Sequence, residues 1–153
     1  MTGHAEKRSA ARRLPKLEDF PHRTTDIIRY GDLDGNSHVN NAVFSTFLES
    51  GRVTLFRPPE RGLMPDGWIW TLARIEIDYL GEMQWPGSAE TGIGLVELGR
   101  TSAVFDQAIF FEGHCVAMAR AINVLIDFVS RRPVPIPDEV RKNFERWKMV
   151  SGE

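Results

Sequence analysis

The sequence predicts an α+β fold: an antiparallel β-sheet wrapped around one long central helix, with a short C-terminal helix added. Three observations carry this. A single long amphipathic stretch follows the first strand signal, and four long β-rich runs then succeed one another without a second long helix. Turns of two or three residues join the last three runs, which makes them antiparallel neighbours. One helix cannot supply the crossovers that several parallel strands would need.

The elements follow in order. At 153 residues the chain suits one domain. Residues 1–18 are polar and are expected to form a flexible tail, with a single domain over 19–150. Thr24–Tyr30 is rich in β-formers and predicts the first strand. Gly31 to Ser37 is all turn chemistry apart from Leu33. Asn40 or Asn41 then reads as a helix N-cap, and Ala42 to Phe56 as the helix. Phe44, Phe47, Leu48, Gly51 and Leu55 recur at the spacing of one helical face. Gly51 costs about 1 kcal/mol against Ala in a helix, which fits a place where a neighbour comes close. Pro58-Pro59 ends the helix. The strands are Trp68–Tyr79, Ala89–Leu98, Ser102–Phe111 and His114–Phe128. The last is apolar at both parities, so both faces of the sheet are expected to be covered. One helix covers one face and leaves the other for a second subunit. Pro133 to Pro137 is a stiff connector, and the final helix buries Val140, Phe144 and Trp147.

Charge narrows the partners. The net charge is −2, yet five basic residues and one acid fall within the first sixteen. The body is therefore acidic, which argues against nucleic acid as partner. No run of 18 apolar residues exists to span a membrane. The basic arm lacks the apolar stretch of a secretory signal. It shares the Arg-rich, acid-poor character of a transit peptide, but a solvated tail is the simpler reading. Cys115 is alone, which leaves no internal disulfide and no Cys-based zinc cluster. It reads as a small core residue in a cytoplasmic protein.

The chemistry concentrates in Arg29 to Asn41. These thirteen residues hold two carboxylates, an imidazole and three side-chain amides. They lie between a strand end and a helix N-terminus, whose free N–H groups suit an anion or a developing oxyanion. A carboxylate beside them is placed to activate water or to attack a carbonyl. The same residues also read as a capped turn with an exposed His38.

The string Arg29-Tyr30-x-Asp32-x-Asp34-x-x-x-His38-Val39-Asn40-Asn41-Ala42, followed by Phe44, Glu49 and Arg52, resembles the acyl-CoA thioesterases of the hotdog fold, in the 4-hydroxybenzoyl-CoA thioesterase-like branch. Arg132-x-x-Pro135-Ile136-Pro137-x-x-Val140-Arg141 is similar to that family's C-terminal segment. The resemblance spans roughly residues 22–146. It implies a five-stranded antiparallel sheet around a helix and assembly through the sheets, as a homodimer or homotetramer, each active site borrowing residues from its neighbour. Many relatives carry Gly just before the His-Val-Asn-Asn string, where this chain has Ser37.

The resemblance also implies roles. Asp34 matches the family's catalytic carboxylate and would attack the thioester carbonyl or activate the water that does. The backbone N–H of Asn41 would receive the carbonyl oxygen. Asp32 shapes the turn. His38 orients water or substrate, or bonds the loop backbone. Glu49 is the rival carboxylate, since another hotdog branch carries its catalytic Glu about two turns into the helix; otherwise it pairs with Arg52 at the surface. CoA is part of the substrate, so neither a cofactor nor a metal is expected. Its phosphates need local cations. Arg100, Thr101 and Ser102 match the hairpin where relatives contact the nucleotide, and Arg131 and Arg132 are second candidates. Trp68 and Trp70 line an acyl pocket or pack in the core. The function implied is hydrolysis of an acyl-CoA to a free acid and CoA. Its rivals are a non-catalytic acyl-CoA-binding module and a hotdog hydratase or dehydratase, whose His-Phe-Pro-Gly string is missing.

Overall fold

In the computed structural model, which describes residues 13–150, the chain builds β1 (His22–Ile27), α1 (Asn41–Phe56), β2 (Trp68–Tyr79), β3 (Ser88–Leu98), β4 (Ser102–Phe111), β5 (His114–Asp127) and α2 (Asp138–Asn143). The strands form one antiparallel sheet in the order β1-β3-β4-β5-β2. The helix α1 crosses one face of that sheet, against β1, β3 and β4. This is the hotdog arrangement the sequence predicts. Residues 1–12 of the expected tail lie outside the described residues.

The helix forms where its cap and its stripe say it should. Asn40 caps it, with Oδ1 accepting the N–H of Ala42 at 2.9 Å. Phe44, Phe47, Leu48, Gly51 and Leu55 are all buried. A Cβ on Gly51 would meet Gln107 and Thr91 side-chain atoms at 3.0 Å, so the glycine lets the helix sit down on β3 and β4. The first half of α1 packs with Ile28, Met83, Ile109 and Phe111, and the second half with Ile93, Phe105, Leu125, Val140 and Phe144. Trp68 and Trp70 join that second cluster. Trp70 stacks on Phe56 at 5.6 Å and donates its indole N–H to Leu63 O at 2.8 Å.

Three expectations need correction. The final helix stops at Asn143; Phe144–Trp147 follows as a 3-10 turn, with Phe144 buried and Trp147 only half-buried. The first strand starts at His22 and ends at Ile27, not Tyr30. Arg29 donates its backbone N–H to Asp32 Oδ2, and Tyr30–Asp32 winds into a 3-10 turn instead. The outer face of the sheet is also covered in part by the chain itself. Phe20 packs on Gly92, and Pro21 and Met149 on Gly94; a Cβ at either glycine would collide with them. Leu17, Phe20, Ala108, Phe110 and Met149 form a small apolar cluster there.

The far end of α1 is pinned by Arg61 of the loop that follows it and by two residues distant in sequence, His22 and Trp147. Arg61 donates to the carbonyls of Thr54 (2.9 Å) and Leu55 (3.2 Å) and stacks over Trp147 at 4.5 Å. His22 Nε2 lies 2.9 Å from Thr54 Oγ1. Burial, and then the Arg61 charge, lower the His22 pKa to about 4 from an unfolded 6.5. The folded state therefore holds a neutral ring. The stability this site contributes is full above 6.5 and is lost as pH falls toward 4. After allowance for solvent screening the loss should reach about 1–2 kcal/mol. Urea midpoints measured at neutral and mildly acid pH should diverge more in the wild type than in His22→Gln; equal divergence would rule this out.

Candidate active site

The turn before α1 is built around two aspartates with different tasks. Asp32 is buried. Its Oδ1 accepts from Arg29 Nη2 at 3.0 Å and its Oδ2 from the Arg29 N–H at 2.8 Å, while its carbonyl accepts the Asn40 N–H at 2.8 Å. Burial works to raise its pKa, but the Arg29 N–H and guanidinium prevail and hold it below the usual carboxylate range. Asp32 is thus the clasp of the turn. Asp34 sits at its tip, half-buried. Its Oδ1 accepts the N–H groups of Asn36 (2.8 Å) and His38 (3.3 Å), and its own N–H bonds His38 O at 2.8 Å. Among the described residues Asp34 Oδ2 has no hydrogen-bond partner.

Ser37 stands where the resemblance leads one to expect glycine. It adopts φ +64°, the left-handed region where glycine is unstrained. The turn keeps its shape with a serine there, at a cost of roughly 1–2 kcal/mol.

The helix start completes the group. Asn40 occupies the N–H of Ala42 with its side chain and that of Val43 with its carbonyl. The N–H of Asn41, first in α1, has no acceptor among the described residues. His38 Nε2 meets Glu82 Oε2 of the β2–β3 loop at 3.0 Å, and Val39 N–H bonds Met83 O at 2.9 Å. The loop after β2 therefore braces the turn. Tyr79, which sequence reading missed, reaches the same place: its hydroxyl lies 3.3 Å from Asn41 O and its ring 5.3 Å from Phe44. Nothing but its place at the end of a long strand would have marked it.

The structure brings Asp34, His38 and Asn41 together and leaves the other candidates apart. Glu49 is exposed on α1, about 12 Å along the helix from Asn41. It has no ion pair with Arg52, which turns inward instead and donates to Gln107 Oε1 at 3.0 Å. Gln107 in turn donates to Leu48 O at 2.8 Å, so a buried polar link fastens α1 to β4. Burial lowers the Arg52 pKa, and the nearby Glu49 charge opposes that. Arg100, Thr101 and Ser102 lie in and beside the β3–β4 turn, and Arg131 and Arg132 follow β5. Both places are at the opposite end of the sheet from Asp34, about 30 Å away along β3. Cys115 is half-buried, and burial raises its thiol pKa.

A second carboxylate escaped the sequence reading. Asp26 on β1 faces α1, with Oδ2 buried and unpartnered. Burial raises its pKa, the Ser50 hydroxyl opposes this, and the Asp32 charge adds to the rise. Among the described residues no three His, Cys, Asp or Glu side chains gather as a metal site, and no helix is long and apolar enough to cross a membrane.

The sequence model of the Thioesterase-like superfamily matches residues 28–144. The chain belongs to that superfamily. Solved structures agree. A thioesterase of Thermus thermophilus, complexed with coenzyme A and Zn, is 30% identical, with a TM-score of 0.75 over 86% of this chain and 96% of its own. A predicted thioesterase of Bacillus stearothermophilus is 28% identical, with a TM-score of 0.77 over 86% of this chain and 98% of its own. A Pseudomonas aeruginosa protein is 27% identical, with a TM-score of 0.78 over 90% of this chain and 99% of its own. No curated protein sequence matches the chain.

Proposed function

We propose that this superfamily member is an acyl-CoA thioesterase, hydrolysing an acyl-CoA to a carboxylic acid and free CoA with Asp34 as the reacting carboxylate. The observation that carries the reading is the pairing of Asp34, held by two backbone N–H groups with one oxygen free, and the open N–H of Asn41 in the same turn. The fixed oxygen removes the need to organise the carboxylate during reaction. The free oxygen takes a proton from water, or attacks the carbonyl carbon itself. In either case the carbonyl oxygen gains charge, and the Asn41 N–H at the positive end of α1 stabilises it. In the base route the water oxygen bonds the carbonyl carbon, the C–S bond breaks, and the proton held by Asp34 passes to the CoA sulfur; in the direct route CoA leaves as the thiolate and takes its proton from water. Where Asp34 attacks directly, water resolves the acyl-Asp34 anhydride. His38, tied to Glu82, holds the loop that carries Asp34. No cofactor or metal enters these steps.

The assembly we propose is a dimer joined at the sheet edge. β2 is twelve residues long and is an edge strand, with Leu72 and Tyr79 exposed. A long unprotected edge invites a second strand. Antiparallel pairing of β2 with β2 of the partner brings the basic end of one protomer's sheet beside the Asp34 end of the other. That delivers Arg100, Thr101, Ser102, Arg131 and Arg132 from one chain to the CoA held at the other chain's site.

Release of free thiol from a panel of aliphatic and aromatic acyl-CoAs tests the activity. At least one member should turn over at a rate linear in enzyme. CoA ligands that bind without any thiol release would make the protein a binding module instead.

A further inference from the structure

Arg52 is a buried cation without an anion. It is 5% exposed, and among the described residues its hydrogen bonding is a single contact, from Nη1 to the neutral amide of Gln107 at 3.0 Å. No carboxylate among those residues pairs with it. Its Nε and Nη2 have no acceptor there, yet neither is wholly sealed from solvent. A guanidinium stays charged even where burial opposes it. A link from α1 to β4 needs only a neutral amide at this place. A buried charge costs more and leaves donors idle.

The idle donors lie in line with the reacting group. Eleven residues make about three helical turns, so Arg52 shares the face of α1 that carries the Asn41 N–H. β2 touches this flank at both ends, through the Tyr79 hydroxyl at Asn41 O and through Trp70 stacked on Phe56. Between those contacts α1 packs chiefly on β1, β3 and β4, which leaves a groove toward β2. The floor of the groove is Ala117, Ala119 and Ala121 of β5, and three small side chains keep it open. Gln107 lies beside Ala119. Helical side chains lean toward the N-terminus, and Gln107 donates to Leu48 O as it accepts from Arg52. The guanidinium is thus level with Leu48, about 10 Å from the Asn41 N–H. An extended chain covers about 1.2 Å per bond, so roughly six to eight carbons span that gap with a hydrogen bond at each end.

We infer that Arg52 is the counter-ion for the far end of the acyl group: the substrate is a dicarboxylic acid joined to CoA through one carboxyl, with its second carboxylate seated on Arg52 Nε and Nη2. Two donors side by side suit the two oxygens of a carboxylate. A plain fatty acyl chain in the same groove would cover those donors without answering them. This rests on the acyl-CoA reading and deepens it by naming the acyl class.

The test compares octanedioyl-CoA with octanoyl-CoA, which have the same chain length and differ in the terminal carboxylate. Wild-type kcat/KM should be about tenfold or more higher on octanedioyl-CoA. A series of dicarboxylic monothioesters should peak near six to eight carbons. Arg52→Met should lower kcat/KM for octanedioyl-CoA about tenfold or more beyond any loss on octanoyl-CoA, and Arg52→Lys should keep part of the preference. Calorimetry on Asp34→Asn should give the same order of affinities without turnover. Equal or better use and binding of octanoyl-CoA overturns the inference, as does a carboxylate preference that Arg52→Met retains. If Arg52→Met does not fold, the wild-type pair and the length series decide by themselves. Protein that binds octanedioyl-CoA more tightly than octanoyl-CoA yet releases thiol from no acyl-CoA would sink the thioesterase reading and leave this site standing. Turnover of acyl-CoAs with no such preference does the reverse.

Discussion

Asp34→Asn is expected to lower kcat by roughly 10²- to 10⁴-fold, the span typical of a positioned acid or base, with the fold intact. The reason lies in how the two carboxylate oxygens divide their work. Oδ1 accepts the N–H groups of Asn36 and His38 and so shapes the turn. An asparagine keeps an oxygen able to accept both bonds. What it loses is the basic or nucleophilic second oxygen. The variant should therefore show wild-type circular dichroism and unchanged CoA affinity, and release almost no thiol. Turnover near the wild-type level would remove Asp34 from the reaction. If Glu49→Gln were the inactive protein instead, the carboxylate on α1 would be the reacting group, and the hotdog branch that uses a helical Glu would be the better guide.

The parts of this site that sequence showed are local ones. The turn chemistry of Gly31–Ser37, the Asn40 cap and the apolar stripe of α1 each depend on residues a few positions apart. The structure keeps all three and ends α1 at Phe56, where the sequence reading put it. The first strand was misplaced because the Arg29–Asp32 clasp competes with β-propensity for Arg29 and Tyr30. Charge patterning put Arg52 on the surface beside Glu49. Only the approach of Gln107, fifty-five residues later, turns it inward. The same holds for Phe20 and Met149 on the outer face. Their seats are Gly92 and Gly94, and nothing in those glycines alone says which side chain will fill them. Ser37 lies between these cases. The resemblance flagged the position, and the positive φ is a conformation in which glycine would be unstrained.

The second large effect concerns how many chains make one site. Within a protomer, Asp34 and the arginines after β5 sit at opposite ends of the sheet, about 30 Å apart by the rise of its strands. A single CoA held by both needs two chains. In an isologous dimer each site then takes its carboxylate from one protomer and its nucleotide cations from the other. Two crippled proteins should therefore repair each other. Asp34→Asn lacks the reacting carboxylate, and the Arg131→Glu/Arg132→Glu protein loses CoA affinity through charge reversal at the nucleotide. Neither should turn over acyl-CoA at low substrate concentration. After mixing and subunit exchange, half the dimers are mixed, and in each of these one site collects both defects while the other collects none. About a quarter of the wild-type rate should return. Light scattering should give a particle of about twice the 17.4 kDa chain mass. A mixture as inactive as its parents, with that dimer mass confirmed and exchange demonstrated, would place carboxylate and cations on the same chain's site. An active particle of one chain mass would defeat the dimer itself, and the nucleotide would then have to be held by groups near Asp34, where Arg29 is engaged with Asp32 and His38 with Glu82.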